Sequence, residues 1–253
     1  MIKIIIAGGD EAGRGAVIGP LVVSVVAIKK SREKKLSDVG VRDSKLLTRK
    51  RREFLYDEIG SLAEEIKVYK IEPAEINSAM ASKISLNELE AVHFAKLIDA
   101  LSSPIRRVYL DSPDVIPEKF GMRIKMVSSK PLKINRIRHK AESGAIKIFS
   151  EHKADSIYPV TSAASIIAKV VRDRSIDRIQ DKIGIEIGSG YPSDMKTVNA
   201  IRENLASKTF MCNTREMWMT LKNIKQMKIS EFLEGAKAPK LKYADKNQES
   251  LAD

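Results

Sequence analysis

An α/β fold is predicted by three features of this 253-residue chain. Short runs of β-branched residues end on glycine or an acid, stretches with apolar residues at helical spacing stand between them, and no fixed-period repeat or low-complexity block interrupts the pattern. Hydrophobic residues make up 43% and charged residues 31%, a balance that argues against disordered, collagen-like and coiled-coil chains. The length suffices to bury the core of one large domain or two small ones.

Taken in order, Ile2 to Ala7 reads as a strand stopped by Gly8 and Gly9, and Val17 to Ile28 as a second, together forming a sheet core. Thr48 to Glu65 places Phe54, Leu55, Ile59, Leu62 and Ala63 on one helical face, with Thr48 as N-cap. Ser85 to Leu101 repeats that spacing, and Ser85 with Glu88 forms a capping box. Arg106 to Leu110, Met122 to Val127 and Ala145 to Phe149 read as further strands, and Pro159 opens a helix to about Ile179. Beyond Gly184, Gly-Ser-Gly-Tyr-Pro-Ser is loop chemistry, followed by helices over Asp194 to Leu205 and Thr214 to Lys225, with Cys212 and Trp218 in their core. The expected division is a core over 1–182, a small helical part over 183–235 and a frayed polar tail over 236–253.

Forty-five Lys plus Arg against 33 Asp plus Glu leaves a net charge of +12, which favours polyanionic partners. The excess is local. One run comprises Arg49, Lys50, Arg51 and Arg52; the other comprises Lys130, Lys133, Arg136, Arg138 and Lys140. Each run fits a solvated face or a track for phosphates; without bulky aromatics the second is a poor membrane helix, so the reading leans to a phosphate backbone. Cys212 is the sole cysteine, which rules out an internal disulfide and a Cys-based zinc site, and a reducing, cytoplasmic setting is expected. The longest apolar stretch, Ala16 to Ile28, is broken by Gly19 and Pro20 and is too short to span a bilayer, and the N-terminus shows no signal-peptide pattern. A monomer is expected.

Chemistry concentrates after the first strand, in Asp10-Glu11-Ala12-Gly13-Arg14-Gly15. Adjacent carboxylates at a strand end repel one another and lose solvation unless a cation sits between them; the plain alternative is an acidic turn with a flexible Gly-Arg-Gly. A dinucleotide fingerprint fails, because the third glycine is absent and a strand-like run follows, and no Walker motif exists. Asp111 ends the strand-like Arg-Arg-Val-Tyr-Leu and would share a sheet edge with Asp10 if those strands are parallel neighbours; alone, it fits an acid opening a turn. Asp155, alone, fits an end-cap before the helix at Pro159. Together these are oxygen-only donors suited to Mg²⁺ or Mn²⁺, while His93, His139 and His152 lack metal-motif spacing.

An ordered set of motifs runs along nearly the whole chain. It comprises Gly-Gly-Asp-Glu-Ala-Gly-Arg-Gly-Ala-Val-Ile-Gly-Pro at 8–20, Arg-Asp-Ser-Lys-Leu-Leu at 42–47, Ser-Leu-Asn-Glu-Leu-Glu at 85–90 and Tyr-Leu-Asp at 109–111. It continues with Glu-His-Lys-Ala-Asp-Ser-Ile-Tyr-Pro-Val at 151–160, Ser-Ala-Ala-Ser-Ile-Ile-Ala-Lys at 162–169 and Gly-Ser-Gly-Tyr-Pro-Ser-Asp at 188–194. This set resembles ribonuclease HII, the type 2 ribonuclease H family, of archaeal kind. The resemblance implies an RNase H-like mixed β-sheet flanked by helices and a metal-dependent endoribonuclease. Its substrates would be the RNA strand of RNA–DNA hybrids and ribonucleotides embedded in duplex DNA, cut on the 5′ side to leave 3′-hydroxyl and 5′-phosphate ends. The implied carboxylates are Asp10, Glu11, Asp111 and Asp155, holding Mg²⁺ or Mn²⁺ as catalytic and metal residues. The backbone of Gly13, Arg14 and Gly15 would read the 2′-hydroxyl, Tyr191 would stack beside the junction sugar, and Ser44 and Lys45 would hold a phosphate. Glycine backbone suits such a sugar contact because it admits close approach.

Two positions depart from the family pattern: Gly9 stands where an apolar residue is usual, and Ala16 where proline is usual. Both are expected to loosen the loop. Finally, Gln226, Ile229, Phe232 and Leu233 match the form of a sliding-clamp (PCNA) binding peptide, or else belong to a last amphipathic helix packed on the core. The competing functional readings are a hybrid-binding module that does not cut and a scaffold recruited by the clamp.

Overall fold

The computed structural model describes residues 4–42, 44–135 and 144–226. Its centre is a six-stranded mixed sheet of β1 (Ile5–Ala12), β2 (Leu21–Lys29), β3 (Glu65–Ile71), β4 (Ile105–Asp111), β5 (Leu132–Ile134) and β6 (Ile146–Glu151), in the order β3-β2-β1-β4-β6-β5. The β1–β2 and β2–β3 pairs are antiparallel, whereas β4 lies parallel to β1 and β6, and β5 parallel to β6. The helices are α1 (Glu33–Asp38), α2 (Arg49–Leu62), α3 (Pro73–Ala81), α4 (Leu86–Asp99), α5 (Pro117–Val127), α6 (Ala154–Ile157), α7 (Pro159–Ile183), α8 (Met195–Asn204) and α9 (Lys208–Met211), with a further helical turn over 219–226.

β1 and β2 are apolar on both faces because both faces are covered. Phe94 of α4 and Phe120 and Ile124 of α5 pack one side of the sheet, and Val160, Ala163, Ala164 and Ile167 of α7 pack the other. α7 rests directly on β1: a side chain at Gly8 would come within 2.3 Å of the Val160 carbonyl carbon. Hydroxyl groups set the register of that contact. Thr161 Oγ1 donates to the Tyr109 carbonyl at 3.2 Å, and Ser24 Oγ on β2 donates to the Ala164 carbonyl at 2.7 Å. A third apolar cluster joins Val17, Ile18 and Ile176 to Ile187, Ile201, Phe210 and Leu221.

The N-cap at Thr48, the capping box of Ser85 and Glu88, and the helix start at Asp194 are as the sequence predicts. Several boundaries differ. The run from Val17 to Ile28 is a strand only from Leu21, because the Gly19-Pro20 break turns Val17 and Ile18 away from the sheet and into the third cluster. Met122 to Val127 is helical: Pro117 starts α5, and Phe120, Gly121 and Ile124 face the core at helical spacing while Met126 is exposed. Glu65 begins a strand where the helical reading continued. β3 is an edge strand with a half-exposed face, so its sequence carries little alternation. α7 runs on to Ile183, where Gly184 at φ +68° closes it. Thr214 pairs with Ile18 in an isolated bridge instead of starting a helix, and Cys212 is exposed, not core.

The basic runs divide. Arg49 pairs with Asp177, and Arg51 donates to the Val39 carbonyl. Arg52 reaches the Leu47 carbonyl at 2.6 Å and Asp173 at 3.1 Å. These three brace α2 against its neighbours. Lys130 Nζ likewise caps the end of α4 through the carbonyls of Ile98 and Leu101, at 2.9 and 2.6 Å. Arg136, Arg138 and Lys140 lie outside the described residues.

Candidate active site

Parallel pairing of β1 with β4 brings Gly9 opposite Leu110, so the acids that follow each residue stand side by side at one sheet edge. Asp10, Glu11 and Asp111 each offer an oxygen, and these atoms lie within 4.8 Å of one another. Asp155 reaches the same place from α6. It lies outside that tight group but lines the same cavity, of about 250 Å³. Its segment is tied to the cluster, because the Ala154 backbone N–H donates to Asp111 Oδ1 at 2.9 Å. Ser162 Oγ donates to the Asp155 carbonyl, and Tyr158 donates to Glu151 at 2.9 Å, which holds the turn on which Asp155 stands.

All ten residues singled out for catalysis and substrate contact line this one cavity: the four carboxylates with Gly13, Arg14, Gly15, Ser44, Lys45 and Tyr191. Ser165 and Lys169 join them. Among the clamp-motif residues, Gln226 is described, while Ile229, Phe232 and Leu233 lie outside the described residues.

The electrostatics are those of a site short of positive charge. Burial first, then the charges of Glu11 and Asp111, push the Asp10 carboxyl well above the ordinary range. Burial also pushes Asp111 up to about 6, against the Ala154 N–H that favours its charged form. Glu11 Oε2 is buried without a hydrogen-bond partner among the described residues. An orphaned carboxylate oxygen beside two more carboxylates, with oxygen donors alone, fits a divalent cation of the Mg²⁺ or Mn²⁺ type.

The Gly-Arg-Gly loop is held from behind by residues that sequence reasoning did not assign. Arg14 turns inward to Glu90 and Asn87 of α4, and Asn87 in turn binds Asp114. Arg215 is fully buried and donates to the Arg14 carbonyl at 2.9 Å and to the Gly19 carbonyl at 3.1 and 3.2 Å. Burial, then the Arg172 charge, pushes Arg215 down to about 9. The Arg172 guanidinium lies 4.5 Å from the Tyr191 ring centre and fixes the ring at the cavity wall. Ser165 and Lys169, which line the cavity, do carry a signal in the sequence: with Thr161 and Asp173 they recur every fourth position along α7. Glu90 shows the same way, as an acid on the apolar face of α4.

Gly9 sits in a ladder between Val25 and Leu110, and a side chain there would meet Leu110 Cδ2 at 2.6 Å and Phe94 Cε1 at 3.0 Å, so those neighbours occupy the space. Ala16 is buried and its N–H donates to the Gly13 carbonyl at 3.2 Å.

Comparison with known proteins agrees with this geometry. The family model for ribonuclease HII matches residues 7–221. Ribonuclease HII of Thermococcus onnurineus is 40% identical over 222 residues, covering 87% of this chain and 90% of that protein. Ribonuclease HII of Archaeoglobus fulgidus is 39% identical over 226 residues, covering 89% and 99%. Among solved structures, ribonuclease H2 from Pyrococcus horikoshii superposes with a TM-score of 0.76 at 38% identity, covering 88% of this chain and 98% of that one. The A. fulgidus enzyme, solved as a PCNA:RNase HII complex, gives 0.72 at 39% identity over 85% and 95%. With one family's model spanning most of the sequence and its solved members sharing the fold that gathers these acids, the chain belongs to the ribonuclease HII family.

Proposed function

We propose that the protein is a metal-dependent endoribonuclease that hydrolyses the RNA strand of RNA–DNA hybrids and cuts 5′ of ribonucleotides embedded in duplex DNA. The observation that carries this reading is the shared cavity, where Asp10, Glu11, Asp111 and Asp155 meet Gly13, Arg14, Gly15 and Tyr191. Asp10, Glu11, Asp111 and Asp155 would hold Mg²⁺ or Mn²⁺. When bound, such ions supply a nucleophilic water and charge stabilisation for the leaving 3′-oxygen. The chain's own groups orient the substrate: the backbone of Gly13 to Gly15 meets the 2′-hydroxyl, the Tyr191 ring packs the sugar, and Lys45 meets a phosphate. The 2′-hydroxyl is the group that separates RNA from DNA, so selection rests on that loop.

The test is a set of three duplexes in MgCl2 or MnCl2: an RNA–DNA hybrid, a DNA duplex with one ribonucleotide, and an all-DNA duplex. Cleavage of the first two, leaving 3′-hydroxyl ends, with the third intact is the expected result. Binding without cleavage in both metals would return the reading to a hybrid-binding module. No helix among the described residues is long and apolar enough to cross a membrane.

A sliding clamp is the proposed protein partner. Support comes from the spacing of Gln226, Ile229, Phe232 and Leu233 and from the A. fulgidus relative, which was solved with PCNA. Phe232→Ala is expected to weaken clamp binding while leaving hydrolysis of a short hybrid unchanged; unaltered clamp binding would reject the assignment, and parallel loss of both would instead indicate a folding defect.

A further inference from the structure

Along α7, cations and acids answer one another: Arg49 pairs with Asp177, Arg52 and Lys169 with Asp173, and Arg174 with Glu53. One row on the sheet departs from that pattern. Arg107 of β4 stands in register with Lys147 of β6, and Lys147 with Lys133 of β5, so three cations lie side by side across three neighbouring strands. Arg107 and Lys147 are exposed and Lys133 is half-buried. Among the described residues none of the three has an acidic partner, and the Lys147 ammonium lies 5.0 Å from the Phe149 ring centre.

The three share a face because of one irregularity. Leu132 and Ile134 on either side of Lys133, and Ile146 and Ile148 on either side of Lys147, belong to the apolar cluster under α4 and α5, which turns both lysines to the α7 side. In β4, Ile105 and Val108 both belong to that cluster although they stand three positions apart, which strict alternation forbids. The register against β1 shifts at this point: Ile5 faces Ile105, but Ile6 faces Arg107. The bulge takes up Arg106 as an extra residue and aims Arg107 to the α7 side, where it completes the row. On that side α7 packs over β1 and β2, and the row occupies the strands beyond them. Like charges directly opposite one another on adjacent strands are destabilising, and with strands about 4.8 Å apart the row amounts to roughly 10 Å of unbalanced positive charge.

We propose that Arg107, Lys147 and Lys133 form a second contact for the phosphate backbone of the substrate duplex, outside the catalytic cavity. The choice of occupant rests on the nucleic-acid substrate proposed above, and charge complementarity selects it. A row of about 10 Å matches roughly three successive phosphates of one strand, at about 3.4 Å of helix axis each. No exposed large apolar side chain stands in the row to anchor a protein or a membrane. Its place in the sheet fits an extended ligand. On the same face the next rung is Tyr109 stacked on Phe149 at 4.9 Å, and the rung after that sets Asp111 beside Glu151. Tyr158, stacked on Tyr109 at 4.2 Å, joins the start of α7 to that aromatic floor. Four residues separate Arg107 from Asp111, about 13 Å of strand or roughly four base-pair steps. A duplex that overhangs the cavity meets the row, and a short one does not.

For the test, Arg107→Gln, Lys133→Gln and Lys147→Gln are combined in the full chain. A matched control neutralises three exposed lysines elsewhere, Lys34→Gln, Lys96→Gln and Lys119→Gln, so that both proteins lose the same charge. Binding of a long, fluorescein-labelled all-DNA duplex is followed by anisotropy in chelator over a range of NaCl concentrations, and KM is measured in MgCl2 for a long and a short hybrid. Loss of the row is expected to weaken duplex binding at least tenfold at low salt, and to reduce the slope of log affinity against log salt by about 2–3, as for three lost phosphate contacts. The control should reduce that slope by less than about 1. KM should rise for the long hybrid and move little for the short one.

A salt slope in the row variant equal to that of the control overturns the proposal, and so does a KM that rises equally for both hybrids. Lys133 lies on the edge strand β5, where a lysine also discourages pairing with another chain. A row variant that self-associates with its duplex binding intact would assign the row to that duty instead. Removing like charges should leave the melting temperature unchanged or slightly raised. If the triple variant melts lower, Lys147→Gln, at the centre of the row, serves in its place: its slope should fall by about 1, and an unaltered slope counts against the row. Binding in chelator to all-DNA does not depend on cutting. A protein that cleaves neither hybrid yet shows the reduced slope would refute the nuclease reading and leave the row standing, whereas cleavage with an unchanged slope would strike the row alone.

Discussion

Glu65 and Asp10 are acids on strands of one sheet, two strands apart, and their surroundings are opposites. Burial alone would raise Glu65, but the Ser103 hydroxyl, the N–H groups of Ser102 and Ser103 and the charge of Lys67 outweigh it and hold the carboxyl at about 2. Asp10 has more burial and, beside it, two further carboxylates. At Glu65 the fold supplies donors until the charge is satisfied. At Asp10 it supplies the Ser165 hydroxyl and the Glu11 N–H, at 2.8 Å, and otherwise leaves oxygens such as Glu11 Oε2 bare. The first arrangement stabilises the chain in isolation. The second withholds stability that a cation would return on binding, the familiar opposition between a site's activity and its contribution to folding.

The sharpest way to break this comparison is Asp111→Asn. The amide oxygen can still accept the Ala154 N–H, but the negative charge is gone, and cleavage of a hybrid is expected to fall by at least about a thousandfold. Stability should move the other way. Because burial raises the folded-state pKa of Asp111 from 3.8 to about 6, the unaltered protein binds more protons folded than unfolded in that window. It therefore loses stability as pH climbs from about 4 through 6, and Asp111→Asn does not. In chelator at pH 7 its melting temperature should exceed that of the unaltered protein by about 2–4 °C, equivalent to roughly 1 kcal/mol. A variant that melts lower in chelator would contradict a site built on repulsion.

Next in size is Arg215→Met, which leaves the buried carbonyls of Arg14 and Gly19 without their donor. A loss of about 2–4 kcal/mol is expected by urea denaturation. Discrimination between ribonucleotide and deoxyribonucleotide should fall with it, since the loop loses its support. Unchanged discrimination in a destabilised variant would limit Arg215 to folding.

Glu65→Gln probes the satisfied acid. It should cost about 1–2 kcal/mol at pH 7 with cleavage unaffected. A lowered folded-state pKa gives stability that is present above 4.5 and lost as pH falls toward 2, so the gap between the two proteins should close over that interval. A gap that persists at pH 2 would show that the interaction does not depend on charge.

The smallest effect is expected at Lys153, which stands at φ +56° immediately before Ala154, whose N–H binds Asp111. Glycine adopts that conformation without penalty, and Lys153→Gly should raise stability by about 0.5–1 kcal/mol in a thermal melt, with the hydrogen bond kept.

Much of this was legible beforehand, for a physical reason. Helix caps, the Gly19-Pro20 break and the acids ending two strands are local chemistry, and local chemistry is written in neighbouring letters. The misread segments are those whose form depends on what covers them. Met122 to Val127 is helical because Phe120 and Ile124 find a sheet face, and β3 exists because β2 offers it an edge.

The amino-acid order by itself determined which residues could do chemistry here: the oxygen donors, the glycine-flanked arginine and the tyrosine after Gly190. Tertiary structure alone decided how they are supported. Glu90 lies 76 positions from Arg14, Arg215 lies 201 away from the same residue, and Ser165 lies 121 from Ser44. No periodicity along a chain encodes such separations. They follow from a strand order that sets β1 beside β4, and from a helix laid so close across β1 that a side chain at Gly8 would strike the Val160 carbonyl carbon.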